Sequence, residues 1–198
     1  MQSEIVFRVA LPLLIFAFVA HRGYYGAKFK ETAQSTLKKR KEGPASRIAG
    51  ALGVIGLASL LAYVVKPEWM SWGSLPLPLW LRWSGLGVAF AGFALLQSSQ
   101  DALGENWSDH PRMIKGQGLV TNGPYRFIRH PIYAAILLVL SSTFLLSANW
   151  MIGLLWLGMT ALEISSRIRY EESLMLEFFG EQYREYMKRT GRIAPRLF

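Results

Sequence analysis

The sequence predicts an all-α integral membrane protein with five transmembrane helices. Three observations support this fold class: 52% of the 198 residues are hydrophobic, the mean hydropathy is +0.22, and the charged residues fall in separate blocks. Between those blocks lie apolar runs long enough to cross a bilayer. The chain has no cysteine, which excludes disulfides, thiolate metal sites and cysteine nucleophiles. We therefore expect a multi-pass protein embedded in lipid.

The first three apolar runs predict three membrane-spanning helices. Residues 5–20 are apolar apart from Arg8, and positive charge follows this run, so we expect a retained span and not a signal peptide. Residues 48–65 carry no charge, and residues 79–97 form a third run with Arg82 and two tryptophans as anchors at its outer end. Glycines on the second and third runs indicate close helix packing.

The longest apolar run predicts spans four and five. Residues 132–162 carry no formal charge over 31 positions, too many for one untilted span of about 20 residues and few for two. Residues 147–150 are its polar interruption, which indicates a tight helical hairpin. Residues 164–198 form a charged tail that begins as an extension of span five. Gly180 is predicted to stop that helix, and residues 181–189 to form a second, short one.

The charge distribution predicts the orientation of the spans. Nineteen of the 22 lysines and arginines lie in the loop at 22–47, the segment at 98–131 and the tail. The positive-inside rule then places these segments and the C-terminus in the cytosol, and the N-terminus outside. With a net charge of +9, the basic loops face anionic membrane lipids, and we expect no nucleic-acid partner. The chain divides into three N-terminal spans (1–97) and a half with the candidate chemistry (98–198).

The start of span four is the first candidate functional stretch. Residues 123–133 gather two arginines, a histidine and two tyrosines where a polar segment meets the apolar run. His130 precedes a proline, which pushes its backbone away from helical angles. Pro131 is favoured as a first helical residue, because its missing N–H would be unpaired there. The stretch therefore predicts a helix N-terminus whose free N–H groups and cationic side chains attract an anion.

The charged residues after span five are the second candidate group. A hairpin would return the chain to the side it left, and so place His130 near Glu171 and Glu172. Glu163, Arg167 and Glu171 share one helical face, where they can form a salt-bridge ladder worth a few tenths of a kcal/mol per pair. The alternative is a functional set, because ionisable groups at the end of a span are costly without a role or a partner. Glu172 lies about 100° around the helix and faces a different neighbour.

These residues together resemble the isoprenylcysteine carboxyl methyltransferase family, whose wider relatives include the phospholipid N-methyltransferases. The similarity extends over about residues 103–195. It rests on Arg-His-Pro-x-Tyr at 129–133, Glu-Glu at 171–172 and Phe-Gly-x-x-Tyr-x-x-Tyr at 179–186. The combination is specific, although each motif alone is not. The chain departs from the family at 134–135, where it has two alanines and the family often has a glycine.

The resemblance implies a membrane methyltransferase that uses S-adenosylmethionine. The cofactor would bind in a cytosolic pocket formed by the loop before span four and the C-terminal helices. The acceptor would come from the bilayer as a lipophilic small molecule or prenylated substrate, most like the carboxylate of a prenylcysteine. Catalytic roles carry over to Arg167 and Glu171, with Arg167 facing the acceptor, and no metal site is implied. The implied cofactor-binding residues are Leu119, Val120, Tyr125, Arg129, His130, Tyr133, Glu171, Glu172, Tyr183 and Tyr186.

Several alternatives stay open at the level of sequence. Within the methyltransferases, the acceptor could be a phospholipid amine or a small lipophilic thiol or amine. From another reaction class, a sterol-type reductase that uses NADPH has a related C-terminal region. A third class is a non-catalytic membrane scaffold in which Glu163, Arg167 and Glu171 only pair with one another. The sequence determines neither the acceptor atom nor the oligomeric state.

Overall fold

Six α-helices make up the regular structure of residues 2–28, 44–106 and 118–196, the parts of the chain that the computed structural model describes. They are α1 (Gln2–Lys28), α2 (Pro44–Val65), α3 (Leu79–Leu103), α4 (Pro131–Ser147), α5 (Trp150–Phe179) and α6 (Glu181–Arg189). These residues contain two isolated bridges and no strand. The all-helical class is therefore confirmed. Helices α1, α2, α3 and α5 are long and apolar enough to cross a membrane, and α4 is a shorter apolar helix.

The first and third helices are longer than predicted. Helix α1 extends past residues 5–20 at both ends, because a helix continues to satisfy backbone hydrogen bonds beyond its apolar run. Helix α3 was expected to end at Gln97 but continues to Leu103, and Gly104, with a φ of +52°, terminates it. The polar residues in between look like a loop in sequence, yet they bond within the helix. The hydroxyl of Ser99, for example, donates to the carbonyl of Leu95 at 2.5 Å.

Two glycines allow α3 and α4 to pack closely. A Cβ atom added at Gly92 would lie 2.7 Å from Cγ2 of Val139, 2.9 Å from its backbone nitrogen and 3.1 Å from the carbonyl oxygen of Ala135. A Cβ atom added at Gly85 would lie 3.1 Å from Cγ of Leu146. Residue numbers rise along α3 as they fall along α4, so the two helices are antiparallel. The predicted close packing of the third span is therefore against α4.

Substituting Gly92 by alanine is expected to destabilise the protein by about 1–3 kcal/mol, because the new methyl group meets backbone atoms that cannot rotate away. Gly87→Ala is the matched control, since a Cβ there meets nothing within 4 Å. Its stability should be unchanged or slightly higher, given the better helix propensity of alanine. Thermal unfolding in detergent measures both variants. Equal unfolding temperatures would contradict this packing.

Helix α2 packs against α5. A Cβ atom added at Gly53 would lie 3.0 Å from the sulfur of Met159, and one at Gly56 would lie 3.5 Å from the ring of Trp156. At Gly50 an added Cβ meets nothing within 4 Å. Two of the three glycines of the predicted second span thus contact another helix, and that helix carries the acidic residues of the candidate site.

Two residues, Ala148 and Asn149, connect α4 to α5. Ala148 has a φ of +48°, which ends α4. The side chain of Asn149 accepts hydrogen bonds from two N–H groups in the first turn of α5 and donates to the carbonyl of Met70 at 2.8 Å. A Cβ atom at Gly153 would lie 2.5 Å from the ring of Phe144, so α4 and α5 are in direct contact beyond this junction.

Arg82, in the first turn of α3, is buried within the protein. Its guanidinium pairs with Glu4, donates to the carbonyl of Leu146 at 2.8 Å and lies 4.2 Å from the ring centre of Phe7. A charge within an apolar span requires partners of this kind. The cluster joins α1, α3 and α4 at the end of the molecule away from the start of α4.

Candidate active site

Helix α4 begins at Pro131, as the sequence predicts. His130 is its N-cap, with φ −124° and ψ 60°, and its carbonyl accepts hydrogen bonds from the N–H groups of Tyr133 and Ala134 at 3.1 and 3.2 Å. A short 3-10 helix, Gly123–Arg126, precedes this start. The side chain of His130 is therefore held at the junction between an irregular segment and a helix N-terminus.

The C-terminal tail runs beside the approach to α4. The N–H groups of Arg129 and His130 donate to the carbonyls of Gly191 and Arg192 at 2.8 and 2.9 Å, and the N–H of Gly191 donates to the carbonyl of Phe127 at 3.2 Å. Sequence reasoning missed this pairing, because both segments are too short to show the alternation of a strand. The tail is thus part of the wall of the site.

Glu172 is the centre of a buried ion-pair network, with 6% of its side chain exposed. Nε of Arg129 donates to its carboxylate at 3.1 Å, and Arg192 donates through Nε at 3.0 Å and Nη2 at 2.6 Å. Nε2 of His130 lies 3.6 Å from the same carboxylate. One acidic side chain therefore connects the start of α4, the end of α5 and the tail. The role of Arg192 was not predicted.

Glu171 lies on the other side of His130. One of its oxygens is 3.4 Å from Nδ1 of His130, and the other accepts a hydrogen bond from the hydroxyl of Tyr133. The rings of His130 and Tyr133 are stacked, with 5.6 Å between their centres. The predicted proximity of these residues is confirmed, and His130 lies between the carboxylates of Glu171 and Glu172. Their roles stay predictions.

Two opposing effects act on the pKa of His130. Burial lowers it, but the carboxylates of Glu171 and Glu172 raise it by more, so the pKa lies above its usual value of 6.5. The folded site thus favours the protonated imidazolium, which contributes to the stability of the fold. That contribution is complete below pH 6.5 and is lost as the pH rises through the higher pKa of the folded state.

The unfolding temperature of the wild type is therefore expected to fall by a few degrees as the pH rises above 6.5, relative to a His130→Gln variant, which has no titrating group here. Arg192, which shares Glu172 with His130, stays charged throughout this range. The control is His21→Gln, since His21 lies on α1 and bonds to Gln97. It should keep the wild-type pH dependence. Parallel profiles for the wild type and His130→Gln would refute the linkage.

Arg167 and Glu163 form an ion pair one helical turn apart on α5, with about a quarter of each side chain exposed. Arg167 also interacts electrostatically with Tyr133 and Glu171. The predicted shared face of Glu163, Arg167 and Glu171 is confirmed by the first of these pairs. Glu171, however, also binds Tyr133 on α4, so the face is more than a ladder along one helix.

Three tyrosines close the site on the side of the tail. Tyr183 and Tyr186 of α6 are 3% and 4% exposed, and the hydroxyl of Tyr186 donates to the carbonyl of Tyr125 at 2.7 Å. Burial raises the pKa of Tyr186 to about 12 and raises the pKa values of Tyr125 and Tyr183 as well. All three hydroxyls are therefore neutral at physiological pH. Helix α6 has the predicted bounds, and it packs against the turn before α4.

Leu119 and Val120 are half-buried in an irregular segment. In sequence, residues 119–121 followed by Asn122 and Gly123 are typical of a short extended piece and a turn. The segment has no strand, because an isolated extended piece has no partner to pair with, and the chain turns through Gly123–Arg126. Residues 107–117, part of the same predicted approach, lie outside the described residues. The cofactor roles of Leu119 and Val120 stay predictions.

The helices and the ion-pair network define an all-helical integral membrane protein with a buried acidic and basic site where α3 and α5 end and α4 begins. Residues 85–177, which include α4 and the acidic residues of α5, match the model of the isoprenylcysteine carboxyl methyltransferase family. Over these residues the chain is similar to that family, and the resemblance seen in the sequence is confirmed.

Three related proteins share one name, that of a methyltransferase of this family. Protein-S-isoprenylcysteine O-methyltransferase of Schizosaccharomyces pombe is 32% identical over 114 residues, which cover 57% of this chain and 48% of the relative. The Dictyostelium discoideum enzyme of the same name is 30% identical over 70% of this chain and 60% of its own length. The human enzyme is 29% identical over 72% of this chain and 50% of its own length. The chain thus spans about half to three-fifths of these relatives.

A solved structure of the eukaryotic intramembrane Ras methyltransferase, isoprenylcysteine carboxyl methyltransferase, has the same fold. It matches with a TM-score of 0.57 at 24% identity, over 79% of this chain and 54% of that protein. At this identity the likeness extends to the fold alone.

Proposed function

We propose that this protein is a membrane-embedded methyltransferase that moves a methyl group from S-adenosylmethionine to a lipophilic acceptor, the carboxylate of a prenylcysteine. The observation that carries the proposal is His130 held between the carboxylates of Glu171 and Glu172, at the point where the family motifs meet. The names of the three relatives support the reaction and the acceptor.

The residues present fit the cofactor. The carboxylate of Glu171 suits an ammonium or hydroxyl donor, and Arg129 with the first turn of α4 suits a carboxylate. Tyrosine faces suit a sulfonium cation. Nε2 of His130 is buried and has no hydrogen-bond partner among the described residues, which is consistent with a polar ligand here. His130, Tyr133 and the tyrosines Tyr125, Tyr183 and Tyr186 would enclose the cofactor.

When bound, S-adenosylmethionine supplies a methyl group that is already activated for transfer. A carboxylate acceptor is ionised at neutral pH, so the protein needs no base and contributes positioning and exclusion of water. Arg167 would orient that carboxylate through charge-assisted hydrogen bonds, with Glu163 holding its side chain. An amine acceptor would instead need a proton acceptor, and Glu171 or Glu163 would then take that role.

The arrangement of the spans is part of the proposal. We take α4 as the fourth of five spans. Its 17 residues extend about 26 Å, slightly less than the roughly 30 Å hydrocarbon core. The two-residue connection to α5 supports a hairpin of spans four and five. The positive-inside rule supports an outside N-terminus, a cytosolic C-terminus and a cofactor pocket open to the cytosol, with residues 1–97 as anchoring spans and 98–198 as the catalytic half.

Transfer of labelled methyl tests the function directly. Purified protein in lipid vesicles receives labelled S-adenosylmethionine and either a farnesylated cysteine or phosphatidylethanolamine. We expect label in the farnesylated cysteine as a methyl ester, which mild base releases as methanol. Base-stable label in the phospholipid would favour the amine alternative. No label in either acceptor, together with no calorimetric binding of the cofactor at millimolar concentration, would overturn the proposal.

A further inference from the structure

Gln100 carries a buried amide group. It lies on α3, is 0% exposed, and neither its nitrogen nor its oxygen has a hydrogen-bond partner among the described residues. Its polar neighbours on the helix are satisfied. Ser99 donates to the carbonyl of Leu95 at 2.5 Å, and Gln97 donates to the hydroxyl of Tyr25 at 2.7 Å. A leucine would fill the same position without leaving a buried polar group unpaired. The presence of an amide there therefore indicates that it binds a ligand.

The packing of α3 on α4 shows which part of α4 lies beside Gln100. Gly85 packs against Leu146, and Gly92 packs against Ala135. Gln100 lies two turns, about 12 Å, beyond Gly92 along α3. Gly92 lies even nearer to the backbone nitrogen of Val139, and from Val139 back to Pro131 helix α4 has eight residues, again about 12 Å, so Gln100 is level with the start of α4.

A second contact agrees with this level. A Cβ atom at Gly123, in the 3-10 helix that precedes α4, would lie 3.3 Å from Cβ of Ala102, two residues after Gln100. His130 lies at the same start of α4, and its buried Nε2, 3.6 Å from the carboxylate of Glu172, makes no hydrogen bond among the described residues. The unpaired amide of Gln100 and the N-cap residue of α4 therefore occur at the same end of these two helices.

The hydrogen-bonding groups of an amide limit the kinds of ligand that Gln100 would bind. Its carbonyl accepts and its NH₂ donates, side by side, and both are unpaired here. A carboxylate offers acceptors alone and an ammonium offers donors alone, and Arg129 and Glu171 already suit those groups. The edge of an adenine ring offers one donor, its 6-amino group, next to a ring-nitrogen acceptor, which a glutamine amide matches with two hydrogen bonds. We infer that Gln100 binds the adenine of the cofactor and selects for its 6-amino group. This inference rests on the proposed function.

Two ligands and two proteins, measured in every combination, test the inference. Calorimetry measures S-adenosylhomocysteine, and its analogue with hydrogen in place of the 6-amino group, against the wild type and Gln100→Leu. We expect the wild type to bind the adenine compound at least about 10-fold more tightly than the analogue. In Gln100→Leu this preference should fall to within about 2-fold. Ser99→Ala is the matched control, since its hydroxyl bonds within α3, and it should keep the full preference.

Thermal unfolding of the ligand-free variants supplies a second readout. Gln100→Leu removes an unpaired buried amide and should unfold at the wild-type temperature or above it, so weaker binding would not reflect a damaged fold. A wild type that binds both compounds equally, or a Gln100→Leu variant that keeps the preference, overturns the inference and leaves the proposed function intact. A wild type that binds neither compound overturns both.

Discussion

Replacing Glu172 by glutamine is expected to abolish tight cofactor binding and to lower the stability of the fold. The carboxylate is buried and balances Arg129, Arg192 and His130, so the substitution leaves cationic groups without their anion. Breaking a buried pair costs about 3–5 kcal/mol, and the half-exposed side chain of Arg192 favours the lower end. The same carboxylate positions the start of α4 and the tail. We therefore expect the affinity for S-adenosylmethionine to fall at least about 30-fold.

Calorimetry and thermal unfolding together measure this effect. The matched control is Glu181→Gln, whose carboxylate pairs with Arg184 on the exposed surface of α6, where 67% of the glutamate side chain is accessible. Exposed pairs contribute little, so both affinity and unfolding temperature should stay at the wild-type values. If Glu172→Gln bound the cofactor as tightly as the control, the network would have no part in the site.

Local signals in the sequence were sufficient to predict the helix ends and the ion pair around the Glu172 network. Pro131 indicated the start of α4 because its ring fits only the first helical turn. Gly180, with a φ of +52°, separated α5 from α6 as predicted. The i, i+4 spacing of Glu163 and Arg167 indicated their ion pair, and the step from Glu171 to Glu172 indicated that the two carboxylates face different partners.

The features that were missed depend on contacts between distant segments. Arg192 looks like one more basic residue of a cytosolic tail, and only the backbone pairing of residues 191–192 with the approach to α4 brings it to Glu172. Gln100 looks like part of a polar loop, whereas it lies within α3 and is fully buried. Arg82 was not matched with a partner in the sequence, and its ion-pair partner Glu4 lies nearly eighty positions earlier. A charge within an apolar run is the signal that could have marked Arg82.

Substituting Arg167 by alanine is expected to lower methyl transfer about 100-fold while the affinity for S-adenosylmethionine stays within about 2-fold of the wild type. Turnover and cofactor affinity should respond differently because the residues for the two tasks lie in different parts of the site. The predicted cofactor residues lie around His130, whereas Arg167 lies one turn before Glu171 and pairs with Glu163. A guanidinium that orients the acceptor carboxylate affects turnover through alignment, and small misplacements cost about two orders of magnitude.

Two further variants separate charge from geometry at this position. Arg167→Lys keeps the charge but loses the planar fork, so it should recover only part of the lost activity. Glu163→Gln keeps the guanidinium but removes the carboxylate that holds it, and should reduce turnover less than Arg167→Ala does. Steady-state methyl transfer to a farnesylated cysteine gives turnover, and calorimetry gives cofactor affinity. If cofactor affinity fell in proportion to turnover in Arg167→Ala, the arginine would belong to the cofactor half of the site, and the acceptor carboxylate would need another partner.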